Sequence, residues 1–144
     1  MSENTPKFKP LFILLLIGIN QNANAQLHKT IDSLQAIEQS CLDSGINMNN
    51  CLYNFRHQMD SILNVVYNNI RSNLNSIQKE KLKNEEVAWL KKRKDNYHES
   101  YIESTSIDIR GAAGMMACKS DANFIIDRIY SIIKKWDFKK MYSN

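Results

Sequence analysis

Proline is nearly missing from this chain, and glycine is scarce. Of 144 residues two are Pro and four are Gly. Both prolines, Pro6 and Pro10, fall in the first ten residues, and beyond Gly18 only Gly45, Gly111 and Gly114 remain. Few backbone breaks are available, which argues against turn-rich all-β architectures. Strand-type alternation is missing too, so the chain reads as all-α. No apolar run reaches the roughly 20 residues that span a bilayer. Cysteine is limited to Cys41, Cys51 and Cys118. The odd number leaves one unpaired within the chain, and the spacings lack the CxxC pairs of a zinc site. His28, His57 and His98 share no i, i+4 ligand spacing, and no GxSxG nucleophile signature occurs. No catalytic residue, cofactor or metal is expected, and the chain is read as not an enzyme.

What is present begins with a targeting signal. The opening "MSENTPKFKPLFILLLIGINQNANAQ" carries Lys7 and Lys9, an apolar run over 11–19 and the small-x-small triplet Ala23-Asn24-Ala25. That is the n-region, h-region and cleavage site of a secretory signal peptide. Residues 1–25 are expected to be removed, leaving a mature domain at 26–144 in a periplasmic or secreted location, with no membrane span after signal cleavage. Without Glu3, Lys7 and Lys9, 17 basic and 14 acidic residues remain, a net charge of +3. So weak a bias gives no reason to expect a nucleic-acid partner. The length suits one small domain with one core.

Along the mature chain, helical periodicity dominates. A first short helix is expected from Thr30 as N-cap, with Ile31, Leu34 and Ile37 on one face. It should stop at the turn chemistry of "DSGINMNN", residues 43–50. Met48, Leu52, Phe55, Met59, Ile62, Val66, Ile70, Leu74 and Ile77 then keep steps of three and four. They predict a long second helix, with a turn near 76–79. The third should run from about Lys79 to Tyr101, with Leu82, Glu86, Trp89, Arg93 and Tyr97 on one face. "ESTSIDIRGAAG" reads as a loop, and a last helix carries Met115, Cys118, Ala122, Ile125, Ile129, Ile132 and Trp136. The tail "DFKKMYSN" should fray. The expected fold is a small antiparallel bundle of three principal helices plus a short N-terminal helix.

The order Cys51, Asp60-x-x-Leu63-Asn64-x-x-Tyr67, Leu82-x-x-x-Glu86-x-x-Trp89-Leu90-x-x-Arg93, a glycine loop, Cys118 and Arg128 resembles the N-terminal domain of the LprI-type lysozyme inhibitors, exported bacterial helical domains. The resemblance covers about residues 40–136. It departs at Glu86, where the family usually has Gln, and at Arg93-Lys94, where it has Arg-Asp. It departs also at Tyr97, often Cys in the family, and in the spacing from Cys118 to Arg128. The resemblance places Tyr97 where a partner for Cys118 would be. It therefore implies a Cys41–Cys51 disulfide with Cys118 a buried free thiol. Cys51–Cys118 is the alternative.

Asp60, Asn64, Tyr67 and Arg71 form a polar stripe beside the apolar face of the second helix. If the second and third helices pack antiparallel, Arg93 can bridge Asp60 and Glu86 while Asn64 and Tyr67 complete the hydrogen bonds. These five residues are read as a structural polar seam, because buried charges need such partners. The competing reading makes Asp60 and Glu86 a glycosidase-like carboxylate pair. An arginine beside two carboxylates favours the charged form of both, whereas that chemistry needs one protonated acid. The run Lys91-Lys92-Arg93-Lys94 reads as a solvated face.

Two functions of different kinds remain. The resemblance implies a protein-binding module, a lysozyme inhibitor that inserts the loop "STSIDIRGAAG", with Asp108 and Arg110 as partner-binding residues. The alternative is an envelope-associated structural or interaction module without inhibitory activity, whose partner is another envelope protein.

Overall fold

The computed structural model describes residues 10–105 and 112–136, with side chains over 24–102 and 112–136. Four helices run in order: α1 (Pro10–Asp43), α2 (Met48–Ser72), α3 (Ser76–Thr105) and α4 (Ala112–Trp136). No strand occurs among the described residues, and none of the described helices is long and apolar enough to cross a membrane. The chain divides into two compact units, Met1–Ile37 and Glu38–Asn144.

In the first unit the described chain is helix throughout. The expected start at Thr30 is therefore corrected: α1 begins at Pro10 and runs 34 residues, straight through Ala25-Gln26. Thr30 is no cap, because its hydroxyl donates to the Gln26 carbonyl one turn back, at 2.9 Å. Pro10 at the first helical position fits a residue without an amide proton.

The second unit holds the end of α1 and the three other helices. The turn into α2 needs left-handed backbone at Gly45 (φ 68°) and at Asn47 (φ 52°), which glycine and asparagine tolerate best. The Gly45 amide donates to the Leu42 carbonyl at 2.9 Å, closing α1. The Cys41–Cys51 disulfide, with Cα atoms 5.9 Å apart, ties the two helices across this turn.

α2 ends at Ser72, five residues before the predicted limit. The apolar steps Ile70, Leu74, Ile77 ran on across a real break. Asn75 and Gln78 form a reciprocal capping box: the Gln78 amide donates to Asn75 Oδ1 (2.9 Å), and the Asn75 amide donates to Gln78 Oε1 (3.1 Å). Ile77 thus belongs to α3 and is 81% exposed, while Leu74 is buried in the turn. α3 also extends past Tyr101, to Thr105.

α4 is packed against both α2 and α3. Its buried face is accordingly broad: Ala113, Ala117, Cys118, Asp121, Ala122, Ile125, Ile126, Ile129, Ile132 and Trp136. The small residues Ala113, Ala117 and Ala122 suit close approach, and the isoleucines fill the far end. α2 brings Cys51, Leu52, Phe55, Met59 and Leu63. Trp136, expected near a frayed end, is buried at 6% exposure.

Candidate functional site

α3 differs from its neighbours in what it turns inward. Only Leu82 and Trp89 on it are buried apolar residues. Between and beyond them, on the same face, come Glu86, Arg93, Asn96 and Ser100, and each reaches α4 through a polar contact. Arg128 donates to Glu86 Oε2 from Nη2 (2.8 Å) and Nε (3.1 Å). Ser100 donates to the Ser120 hydroxyl at 2.9 Å, and Asn96 reaches the same oxygen at 3.3 Å. At the far end Lys135 and the Trp136 indole donate to the two oxygens of Glu85, at 2.8 and 3.3 Å. The order of these pairs shows α3 antiparallel to α4. Burial alone would raise the pKa of Glu85, but the bonds from Lys135 and Trp136 outweigh it and hold it below the usual 4.5.

Arg93 sits at the centre. Its Nη1 and Nη2 donate to both oxygens of Asp60 on α2, at 2.7 and 2.9 Å. Its Nε and Nη2 donate to both oxygens of Asp121 on α4, at 2.8 and 2.9 Å. One planar guanidinium thus holds two carboxylates in bidentate geometry. Burial opposes its charge, yet the bonds to Asp121 and Asp60 win, and its pKa lies above the ordinary arginine value. Arg93 and Arg128 also stand over the Trp89 ring, 5.5 and 5.8 Å from its centroid. That ring stacks on Phe124 at 5.7 Å.

The expected seam is therefore corrected in its partners. Arg93 meets Asp60 but not Glu86, which belongs to Arg128. The second carboxylate on Arg93 is Asp121, 3% exposed, which sequence reasoning missed. Asn64 is exposed and Tyr67 half-buried. Neither is among the groups bonded to Arg93 or Asp60. Asp60 and Glu86 are held by different arginines and so do not form a carboxylate pair around one site. A signal for Asp121 did exist: a lone acid on the apolar stripe Cys118, Ala122, Ile125 requires a cation.

Around Asp121 the charges continue. Arg56 Nε on α2 lies 3.7 Å from Asp121 Oδ2, and this nitrogen is buried without a hydrogen-bond partner. Glu38 at the end of α1 is 3% exposed and accepts a bond from Lys119 at Oε2, while its Oε1 is buried and unbonded. Lys119 also stands over the Phe55 ring, at 5.0 Å. Cys118 is a buried free thiol. Burial raises its pKa, and Asp121 and Glu38 add to this against the opposing pull of Arg56. Asp108 and Arg110 lie outside the described residues. Among the described residues no cluster of His, Cys, Asp or Glu could hold a metal ion.

These features define a disulfide-tied helical module whose third helix is attached by ion pairs rather than by a continuous apolar stripe. A family model described as "Lysozyme inhibitor LprI" matches residues 38–131, and the chain belongs to the LprI family. The match begins at the buried Glu38 and spans all the ion pairs of the seam except those made by Lys135. No curated protein and no solved structure matches the chain.

Proposed function

We propose that this protein is exported and acts as a protein-binding module, most concretely as an inhibitor of lysozyme. The observation that carries this reading is the family match, which takes in 38–131 and bears an inhibitor's name. Export rests on the signal-like composition of residues 1–25 and on a disulfide, which persists in oxidising compartments. The segment between α3 and α4, residues 106–111, is the proposed inhibitory loop, shorter than the predicted 104–114 because both flanking helices extend into that stretch, with Asp108 and Arg110 as the residues that engage the enzyme. On this reading the protein carries out no reaction of its own.

The test compares variants in two measurements, lysozyme activity on cell-wall substrate and thermal unfolding. Asp108→Ala and Arg110→Ala should weaken inhibition at least tenfold with the thermal midpoint unchanged. Loop variants that inhibit as well as wild type would remove the loop from the mechanism. A net charge of +3 gives no long-range steering toward a basic enzyme, so association should be slow and only weakly salt-dependent.

A further inference from the structure

Beside the Arg93 centre lies an open cleft of about 250 Å³ lined by Arg56, Leu90, Arg93, Lys94, Tyr97 and Asp121. Donors and acceptors in it are unequal. Asp121 is the one carboxylate among its described lining residues, and both of its oxygens accept from Arg93 while Arg56 pairs with Oδ2 at 3.7 Å. Beyond that ion pair Arg56 stands 5.8 Å from the Tyr53 ring centroid, and no hydrogen bond to its guanidinium occurs among the described residues. Lys94 is exposed and Tyr97 half-buried, and no ion pair of Lys94 or hydrogen bond of the Tyr97 hydroxyl occurs among the described residues. Three donor-bearing groups thus line one cleft without a side-chain hydrogen bond of their own among the described residues. A carboxylate there could take bonds from Lys94, from the Tyr97 hydroxyl and from the outer nitrogens of the Arg56 guanidinium, whose Nε is turned inward, and charge assistance strengthens such contacts.

We propose that this cleft binds a carboxylate carried by a protein partner, an Asp or Glu side chain presented on its surface. Charge sets the choice of ligand. Arg56, Arg93 and Lys94 supply three positive charges, while Asp121 and Asp60 on Arg93 supply two negative ones. The site is left one positive charge in excess, which a monoanionic carboxylate balances and a phosphate dianion overfills. Size and lining agree. Leu90, 49% exposed, and the Tyr97 ring give the aliphatic stem of a glutamate an apolar wall. The inference rests on the reading of the protein as a protein-binding module, but not on lysozyme being the partner.

The experiment is a titration of the purified protein with N-acetyl-glutamyl amide, followed by NMR at the Arg56 side-chain N–H and the Tyr97 ring. N-acetyl-glutaminyl amide and inorganic phosphate are the controls. The glutamate probe should shift both signals with an affinity on the order of millimolar, as expected for so small a ligand. The glutamine isostere should leave them in place. Lys94→Gln should weaken binding about tenfold and Tyr97→Phe about threefold, with unchanged thermal midpoints because neither side chain holds the fold together. Equal binding of phosphate and the glutamate probe would make the cleft a general anion site and overturn the proposal. Equal response to glutamate and glutamine, or an unweakened Lys94→Gln, would overturn it too. If the titration succeeds while lysozyme is not inhibited, the cleft stands and the lysozyme reading falls. If lysozyme is inhibited while the titration fails, the cleft falls alone.

Discussion

Arg93 commits its guanidinium to two carboxylates on two other helices, and the two differ in burial. Asp121 is almost fully enclosed, whereas the Asp60 side chain keeps 32% exposure. Arg93→Ala leaves Asp121 charged and buried with only the longer ion pair to Arg56, at 3.7 Å and without a hydrogen bond. Breaking a buried pair from one side costs about 3–5 kcal/mol. Asp60→Ala removes a half-exposed partner and should cost about 1 kcal/mol. Urea unfolding of the two variants checks this order, and equal losses would contradict it. The Cys118 thiol is a second case. Its raised pKa and its burial both reduce the thiolate available to a reagent. At neutral pH it should react slowly in the native protein and fully, as one thiol per chain, after denaturation. Peptide mapping should place it at Cys118; a Cys51–Cys118 bridge would contradict the pairing. At this scale Asp60 and Arg93 were legible as residues that must meet, and Cys41–Cys51 followed from the family resemblance. Asp121 is invisible to apolar periodicity, which counts only its neighbours Cys118, Ala122 and Ile125, and Glu86 finds Arg128 only once α4 is set against α3.

The helices are stabilised by different means. α2 meets α4 through an apolar face, whereas α3 meets it largely through ion pairs and hydrogen bonds around Leu82 and Trp89. Sequence periodicity reads the first kind of interface well. It reads the second poorly, because Glu86, Arg93, Asn96 and Ser100 resemble a solvated face until a partner is placed against them. The same limit explains the misplaced turn. Leu74 and Ile77 kept helical spacing, while the stop lay in the polar pair Asn75 and Gln78. Their reciprocal bonds satisfy two amides at the start of α3. Asn75→Ala should therefore destabilise the protein by about 0.5–2 kcal/mol, and Asn75→Ser should recover most of that. Thermal unfolding of the pair checks the cap. An Asn75→Ala protein as stable as wild type would mean the turn holds without it.

For the whole molecule, the all-α class and the family were readable from the residues, since scarce glycine, absent internal proline and the spaced motif around Trp89 leave few other folds. The placement of α4 against both partners was not, because a chain of amphipathic helices does not say which one lies between the others. Processing is a prediction at this scale. Ala23-Asn24-Ala25 should direct cleavage, so the intact mass of the exported protein should match a chain beginning at Gln26; retention of Lys7 and Lys9 would contradict it. Function turns on one measurement. Purified protein, checked for its disulfide and its folded state, is titrated into lysozyme acting on cell-wall substrate. The account predicts a saturable, stoichiometric fall in activity, with the same fall at increased salt. Full lysozyme activity in a large excess of folded protein would contradict the inhibitor reading and leave a family member that works on a different envelope partner.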